Sequence, residues 1–268
     1  MQNEFREGAH VLIIGGGYIG LEAAAVSRKL GLEVTLVEAA ERILQRVACP
    51  ETSDAIRALH TDKGVQILEA VGIDSLHGEE RVTSASLSNG ETLTVDFVIA
   101  GIGAIPNQQL AEAAGLDCTN GIVVDAHGRT SDPAVWAAGD CANLEFRGTR
   151  LRLESVQNAI DQAENIAANI TGQITPYDPK PWFWSDQYDA KLQIAGLNLG
   201  YDSITVRPGD KGNDVSHWYF KGDTLLAVDA INEPRAYMVG KRLIDAGRSA
   251  DPARIMDTET PLKALLSN

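Results

Sequence analysis

A glycine-rich segment near the start of the chain has the residue types and spacing needed to hold a phosphate group. Gly15, Gly17 and Gly20 stand in GxGxxG register within GGGYIG. The first glycine of such a pattern permits a tight turn, the second lets the backbone approach a pyrophosphate, and the third lets a helix pack closely on a strand. The amides of that helix's first turn face the phosphates. The sequence therefore predicts a dinucleotide site along the whole turn, which comprises Gly15, Gly16, Gly17, Tyr18, Ile19 and Gly20.

A carboxylate follows this turn at the separation expected for a ribose contact. Glu38 stands eighteen residues after Gly20, at the end of the apolar segment EVTLVE. It can accept hydrogen bonds from both ribose hydroxyls, and it would repel a 2′-phosphate. The next residues, Ala39 and Ala40, offer no cation. The pattern favours NAD(H) over NADP(H); in the alternative reading, the glycines only pack a tight turn and bind nothing.

A second carboxylate lies in the segment SDPAVWAAGDCAN. The apolar run AVWAAG predicts a strand, which would place Asp140 just beyond its C-terminal end. Ligands of open α/β sheets bind at such strand ends, and a carboxylate there can accept hydrogen bonds from a polyol chain. An Asp that caps the following turn in solvent is equally consistent with the pattern.

The elements that must position these residues predict an α/β fold. Apolar runs indicate strands at 10–14, 33–38, 65–68 and 96–103, and amphipathic runs indicate helices at 21–31 and 51–64. Such alternation favours a parallel sheet with helices on both faces. The pair Asn89-Gly90, between alternating segments, predicts a β-hairpin.

The rest of the chain has a different pattern. Short elements are predicted at 108–114 and 121–125, and a long helix at 153–170. From Thr175 onward, alternating segments and a late helix predict an antiparallel α+β domain, and the Pro-rich stretch 176–181 marks its start. We therefore predict three domains, which span residues 1–104, 105–175 and 176–268.

Composition excludes several classes of protein. The 268 residues carry 23 Lys+Arg and 37 Asp+Glu, a net charge of −14, which disfavours binding to nucleic acid. No apolar run is long enough for a membrane span, and the first residues do not resemble a secretory signal, so we expect a cytoplasmic protein. The sequence has no GxSxG segment, and no metal site is predicted from its cysteines and histidines, which are Cys49, Cys118, Cys141, His10, His60, His77, His127 and His217.

Several long motifs resemble a known family. GGGYIGLEAA and TSDPAVWAAGDCA, in this order, resemble the FAD-dependent pyridine-nucleotide oxidoreductases. ESVQNAIDQAENIAANI and PYDPKPWFWSDQYDAKLQIAGL resemble more narrowly the ferredoxin reductases, such as putidaredoxin reductase, rubredoxin reductase and the reductase components of aromatic-ring dioxygenases. The resemblance covers essentially the whole chain. It implies a Rossmann-like NAD domain, part of a second, FAD-type domain and a C-terminal α+β domain.

The resemblance also implies roles for individual residues. The turn with Glu38 would bind NADH, and Gly101 and Gly103 would line the same cleft. Glu22 would lie near the nicotinamide. In the FAD-type part, Asp140, preceded by Gly139, would bind the ribityl chain. Beside the flavin ring would lie the start of the long helix and two tryptophans, that is Glu154, Ser155, Val156, Gln157, Trp182 and Trp184. Glu22 and Trp184 are the residues expected closest to the chemistry; for the two tryptophans, a purely structural role as aromatic anchors is an equal alternative.

The implied activity is hydride transfer from NADH to FAD, followed by release of single electrons to a ferredoxin-type iron–sulfur protein. The sequence has no CxxC, so disulfide reduction is not expected. Residues 176–268 have a net charge of −2, against −12 for residues 1–175, so an acidic ferredoxin would meet least repulsion on the C-terminal part. Lys241, Arg242 and Arg248 are candidate contacts there, unless they are only solvated helix residues.

The sequence differs from the family in one respect. The family's chains begin with a FAD-binding segment that carries its own GxGxxG, whereas this sequence has the pattern once and starts in the NADH domain. We expect the first quarter to third of the family's chain to be absent and FAD to be bound weakly, which would leave the purified chain nearly colourless. A separate polypeptide could supply the segment. The alternative is a non-catalytic NAD(H)-binding or interaction remnant without flavin.

Overall fold

A computed structural model describes residues 4–212 and 214–267. The chain forms two compact units. The first contains the chain up to Gly103, residues Trp184–Ile194 and the chain from Asn198 onward, and the second contains Ala104–Phe183 and Ala195–Leu197. The three-domain division drawn from the sequence stays a prediction.

The first unit begins with alternating strands and helices. These elements are β1 (His10–Ile14), α1 (Tyr18–Lys29), β2 (Glu33–Glu38), α2 (Pro50–Asp62), β3 (Val65–Glu69), β4 (Ile73–His77), β5 (Ser84–Leu87), β6 (Thr92–Thr94) and β7 (Phe97–Ala100). A four-stranded parallel sheet has the order β3-β2-β1-β7. Strand β1 has a fully buried centre, Val11 to Ile13, because a parallel sheet is covered on both faces. The predicted α/β class and parallel sheet are confirmed.

The three short strands form a separate antiparallel sheet in the order β4-β5-β6. The turn between β5 and β6 contains Gly90 at φ +88°, a conformation that glycine adopts readily. Glu91 donates its backbone N–H to Asn89 Oδ1 at 3.1 Å. The predicted Asn89-Gly90 hairpin is confirmed.

The second unit consists of short elements and one long helix, which are α3 (Gln109–Ala113), β8 (Ile122–Val123), β9 (Ala142–Phe146), β10 (Thr149–Leu151) and α4 (Val156–Ile170). Its core includes Val124, Leu144, Phe146 and Leu153. Helix α4 begins three residues later than predicted, because Ser155 caps it by accepting the Asn158 N–H at 3.1 Å.

The prediction of a strand at the run AVWAAG is wrong. Among its residues only Trp136 forms a β-bridge, with Arg129, and a 3₁₀ turn follows at Gly139–Cys141. The Asp132 carboxylate accepts the Ala134 N–H at 2.9 Å, and Thr130 N donates to Val135 O at 3.0 Å. The run therefore folds back on the residues just before it, and Asp140 lies in a turn and not at the end of a strand.

The C-terminal part forms an antiparallel sheet with helices, as predicted. Its elements are β11 (Trp182–Gln187), β12 (Ala190–Gly196), β13 (Ser203–Pro208), β14 (Val215–Lys221), β15 (Thr224–Ile231), α5 (Pro234–Asp245) and α6 (Pro252–Met256). The strand order is β11-β12-β15-β14-β13. Trp218, Tyr219 and Phe220 of β14 are fully buried. Helix α5 packs on β15, where Gly240 allows close approach to Val228.

No helix in the described part of the chain is both long and apolar enough to cross a membrane. Within the same residues, no cluster of three metal-ligating side chains occurs. The three cysteines are free thiols.

Candidate functional site

The turn between β1 and α1 has a backbone that requires glycine at two positions. Gly15 has φ +104°, and a Cβ there would lie 2.5 Å from Gly101 O. A Cβ on Gly20 would collide with Gly15 O. By contrast, a Cβ on Gly17 would meet nothing within 4 Å. Two glycines therefore close the turn, while the third leaves open space beside it.

Gly17 is the N-cap of α1, and no side chain caps this helix end. Helix N-terminal N–H groups attract anions, through hydrogen bonding and through the helix dipole. The open space at Gly17 and the uncapped helix end together make a site of the kind that a pyrophosphate occupies.

The carboxylate of Glu38 is fixed against the turn. Its Oε2 accepts the Gly16 N–H at 2.7 Å, and its Oε1 accepts the Ala40 N–H at 2.8 Å. A carboxylate offers about four acceptor positions, so capacity for ribose hydroxyls remains. The structure thus brings the glycine turn and Glu38 into one site.

The other predicted residues of this unit lie around the turn. The Gly101 N–H donates to Ile14 O at 2.7 Å, and a Cβ on Gly101 would lie 3.3 Å from Gly20 N. Gly103 follows with φ +99°, a conformation open to glycine. Ile19 is exposed. Gly101 is therefore a direct neighbour of the turn.

Tyr18 has a buried phenol. Burial, followed by the nearby Asp229 and Cys49, raises the pKa of Tyr18 well above its usual value. The Tyr18 hydroxyl is therefore enclosed by protein, while the residue as a whole is half-buried.

Glu22 lies on α1 two residues after Gly20. The Ser185 hydroxyl, on β11, donates to Glu22 Oε1 at 2.6 Å. Ser185 is fully buried. Sequence reasoning missed this residue, since its partner is more than 160 positions away and no local pattern marks it.

A second group that the sequence did not reveal is a buried polar cluster. Thr52 Oγ1 donates to Asp229 Oδ2 at 2.8 Å and lies 2.8 Å from His217 Nδ1. The Tyr219 hydroxyl also donates to Asp229 Oδ2 and accepts the Cys49 N–H at 2.9 Å. All five residues are buried, so direct hydrogen bonds in the protein interior link α2 to strands β14 and β15.

The electrostatics of this cluster are unusual. Burial lowers the pKa of His217 to about 4, so its ring is neutral at pH 7. Burial raises the pKa of Asp229 to about 6, although hydrogen bonds from Tyr219 and Thr52 act in the opposite direction. These donors satisfy a carboxylate that would otherwise be costly to bury.

In the second unit, Arg152 links Asp140 to Glu154. Arg152 Nη1 donates to Asp140 O at 2.8 Å and also to the Glu154 carboxylate. Gly139 has φ +75°, and its N–H donates to Gln162 Oε1 at 2.8 Å. The Asp140 residue is exposed.

The start of α4 and β11 share a small cavity of about 10 Å³, which is lined by Ser155, Gln157 and Trp182, among others. Val156 is exposed at the same helix end. Trp184, two residues after Trp182, is 42% exposed. The predicted residues of the second unit thus form two neighbouring groups, the Gly139–Asp140 turn and the N-terminus of α4.

Two of the three cations predicted to meet a ferredoxin already have contacts. Lys241 Nζ pairs with Asp245 at 2.6 Å, and Arg248 Nη2 donates to Leu266 O at 3.0 Å. Arg242 is exposed. A docking role for these residues stays a prediction.

Comparison with known proteins identifies the family. Residues 1–163 match the pyridine nucleotide-disulphide oxidoreductase family. Residues 182–266 match the reductase C-terminal family. The chain belongs to the pyridine nucleotide-disulphide oxidoreductases.

Individual relatives are more specific. The chain is 42% identical to putidaredoxin reductase CamA of Pseudomonas putida over 96% of its own length and 62% of that protein's. It is 38% identical to rubredoxin-NAD(+) reductase of Pseudomonas putida over 88% of its own length and 62% of that protein's. The chain therefore spans less than two thirds of these relatives.

Solved structures give the same result. A covalent putidaredoxin reductase–putidaredoxin complex contains a chain that matches with a TM-score of 0.95 at 40% identity, covering 99% of this chain and 65% of that one. The ferredoxin reductase for the CYP199A2 system from Rhodopseudomonas palustris matches with a TM-score of 0.94 at 41% identity, over 98% and 66%. The resemblance predicted from sequence motifs is confirmed.

Proposed function

We propose that this chain carries the NAD(H)-binding part of an NADH-dependent flavoprotein reductase, which passes electrons through FAD to a ferredoxin-type iron–sulfur protein. The observation that carries the proposal is the glycine turn joined to Glu38, where Gly16 N donates to the carboxylate at 2.7 Å. This arrangement combines an anion site at a helix N-terminus with a ribose acceptor.

The residues of the second unit fit the ribityl and ring parts of FAD. Asp140 presents an exposed carboxylate that can accept hydrogen bonds from hydroxyls. Val156 offers exposed apolar surface at the N-terminus of α4, whose amides favour an electron-rich carbonyl oxygen. When bound, FAD supplies the chemistry, accepting a hydride and releasing single electrons. The protein's part is to bind and orient: Arg152 holds the Asp140 backbone, and Ser155 fixes the helix end.

The electron acceptor is proposed from the relatives. Their names specify putidaredoxin and rubredoxin, and one solved structure is a reductase–putidaredoxin complex. In this chain, exposed Trp184 and Arg242 are candidate contacts. A cytoplasmic location stays a prediction.

The proposal is tested on the purified chain by titration with NADH and with FAD. We expect NADH to bind saturably, detected by a change in its fluorescence, and added FAD to bind and be bleached by NADH. An iron–sulfur acceptor should then be reduced. Binding of NADH without any binding of FAD would favour the alternative, an NAD(H)-binding module that turns nothing over. No binding of NADH would contradict the proposal.

A further inference from the structure

A continuous series of hydrogen bonds, buried at its centre, ends on Glu22. Ser185 donates its hydroxyl hydrogen to Glu22 Oε1 at 2.6 Å, and its Oγ accepts a hydrogen bond from Gln187 Nε2 at 3.0 Å. Ser185 and Gln187 are 0% and 1% exposed. Because water does not reach these groups, each depends on the next for its hydrogen bond.

The series continues to the surface through a histidine. Gln187 Oε1 lies 2.8 Å from His60 Nε2, and His60 Nδ1 lies 3.4 Å from the Tyr188 hydroxyl. An amide oxygen can only accept, so Nε2 carries the proton and Nδ1 accepts. Burial lowers the pKa of His60, which keeps the ring in this neutral form.

Every donor in the series therefore points the same way. Tyr188 donates to His60, His60 to Gln187, Gln187 to Ser185, and Ser185 to Glu22. Hydrogen bonds aligned in this way polarise one another and strengthen the last one. The buried Ser185 hydroxyl therefore fixes the rotamer of an otherwise flexible glutamate.

The position of Glu22 on α1 indicates what the series of hydrogen bonds does. In the proposed function, the N-terminus of α1, where Gly17 is the N-cap, faces the phosphates, and Glu38 takes the adenine-side ribose. Glu22 lies on the next turn of α1, five residues after Gly17. Its bond to Ser185 engages Oε1, and a carboxylate accepts about four hydrogen bonds. It therefore keeps acceptor capacity for an N–H group of the ligand.

We propose that Ser185, Gln187 and His60 are positioning residues, which hold Glu22 as the hydrogen-bond acceptor for the carboxamide N–H of the nicotinamide. This proposal rests on the proposed NAD(H) function. It assigns binding selectivity for the nicotinamide half of the dinucleotide to a series of side chains that do not touch the ligand.

The test compares two ligands that share the adenine half. NADH carries nicotinamide, whereas ADP-ribose does not. In Ser185→Ala, Glu22 loses its fixed donor, so we expect the Kd for NADH to rise about tenfold and the Kd for ADP-ribose to stay unchanged, measured by titration calorimetry. Ser185→Thr retains the hydroxyl and should restore NADH affinity. Gln187→Leu breaks the series one bond further away and should raise the Kd for NADH about threefold.

Ser216→Ala is the matched control. Ser216 is also a buried serine of the antiparallel sheet, and it accepts the Trp218 Nε1–H at 3.0 Å. Its replacement should change neither Kd. An equal loss of affinity for NADH and ADP-ribose in Ser185→Ala would overturn the proposal, because it would show a general structural role. Unchanged NADH affinity in both Ser185→Ala and Gln187→Leu would also overturn it. Failure of the unmodified chain to bind ADP-ribose is a separate result, which would overturn the proposed function together with this inference.

Discussion

The two units of the chain differ in the polar side chains that they bury. In the first unit, the buried polar side chains include titratable ones, His60, His217 and Asp229. In the second unit, the described buried polar side chains are all amides, namely Asn143, Asn158, Gln162 and Asn169. Amides do not change charge with pH, so only the first unit has a buried polar core that responds to protons.

The turns of the two candidate sites also differ in what holds them in place. In the first unit, the backbone packs so closely that a Cβ on Gly15 would lie 2.5 Å from Gly101 O. In the second, a Cβ on Gly139 would lie 3.4 Å from Ala159 Cβ, an ordinary contact, and Gln162 holds the turn by accepting the Gly139 N–H. The glycine turn of the first unit is therefore fixed by backbone packing, whereas the second turn is fixed by a side-chain amide.

The largest expected effect comes from filling the closed turn. Gly15→Ala adds backbone strain of about 1–3 kcal/mol at positive φ and overpacking of a further 1–3 kcal/mol or so. We expect urea unfolding to show a loss on the order of 4 kcal/mol in the free energy of unfolding, together with loss of NADH binding.

Two matched glycine variants sharpen this comparison. Gly17→Ala meets open space and should change stability by less than about 1 kcal/mol, yet it should weaken NADH binding by obstructing the pyrophosphate. Gly139→Ala should cost about 1–2 kcal/mol through its positive φ and leave the Kd for NADH unchanged. If Gly15→Ala and Gly17→Ala are equally stable, the close packing assigned to the turn is wrong.

The next effects, each of roughly 3 kcal/mol, are the pH-dependent contributions of two buried groups in the first unit. The pKa of His217 is lowered from 6.5 to about 4, so its contribution to stability is full above pH 6.5 and is lost as pH falls through about 4. The pKa of Asp229 is raised from 3.8 to about 6, so its contribution is full below pH 3.8 and is lost as pH rises through about 6. The two contributions oppose each other between pH 4 and 6.

Single variants separate these contributions. Relative to the unmodified chain, Asp229→Asn should gain roughly 3 kcal/mol of stability as pH rises from 4 to 6, whereas His217→Gln should lose a similar amount. Denaturant unfolding at several pH values measures both slopes. The control from the other unit is Gln162→Leu, whose cost of about 1–3 kcal/mol should be the same at every pH. Parallel slopes for the two first-unit variants would contradict the assigned pKa shifts.

The proposed nucleotide site was predictable from the sequence because its parts are local. Strand β1, the three glycines and Glu38 lie within 29 residues, and each leaves a signal in residue type or spacing. Other buried hydrogen bonds of the first unit are not local. Ser185 reaches Glu22 across 163 positions, and Thr52 reaches Asp229 across 177, so no spacing rule indicates them.

The error at AVWAAG has a related cause. Its apolar composition predicts a buried strand, but a turn formed by Asp132 brings Val135 back to Thr130. The hydrogen bonds of that turn depend on local side-chain geometry, which hydrophobic periodicity does not report. The roles of Asp140 and the start of α4 came from family resemblance, since the residues alone left a solvated cap equally open.

The central claim is that the first unit binds NAD(H) through the glycine turn and Glu38, and a selectivity measurement tests it most directly. Titration with NADH and NADPH gives two dissociation constants for the unmodified chain and for Glu38→Arg. Glu41→Arg, a nearby exposed glutamate with the same change of charge, serves as control. We predict that the unmodified chain and the control prefer NADH by about tenfold or more, since a lost charged hydrogen bond costs about 1.5–3 kcal/mol, and that Glu38→Arg shifts the preference toward NADPH. Unchanged selectivity in Glu38→Arg would contradict the account.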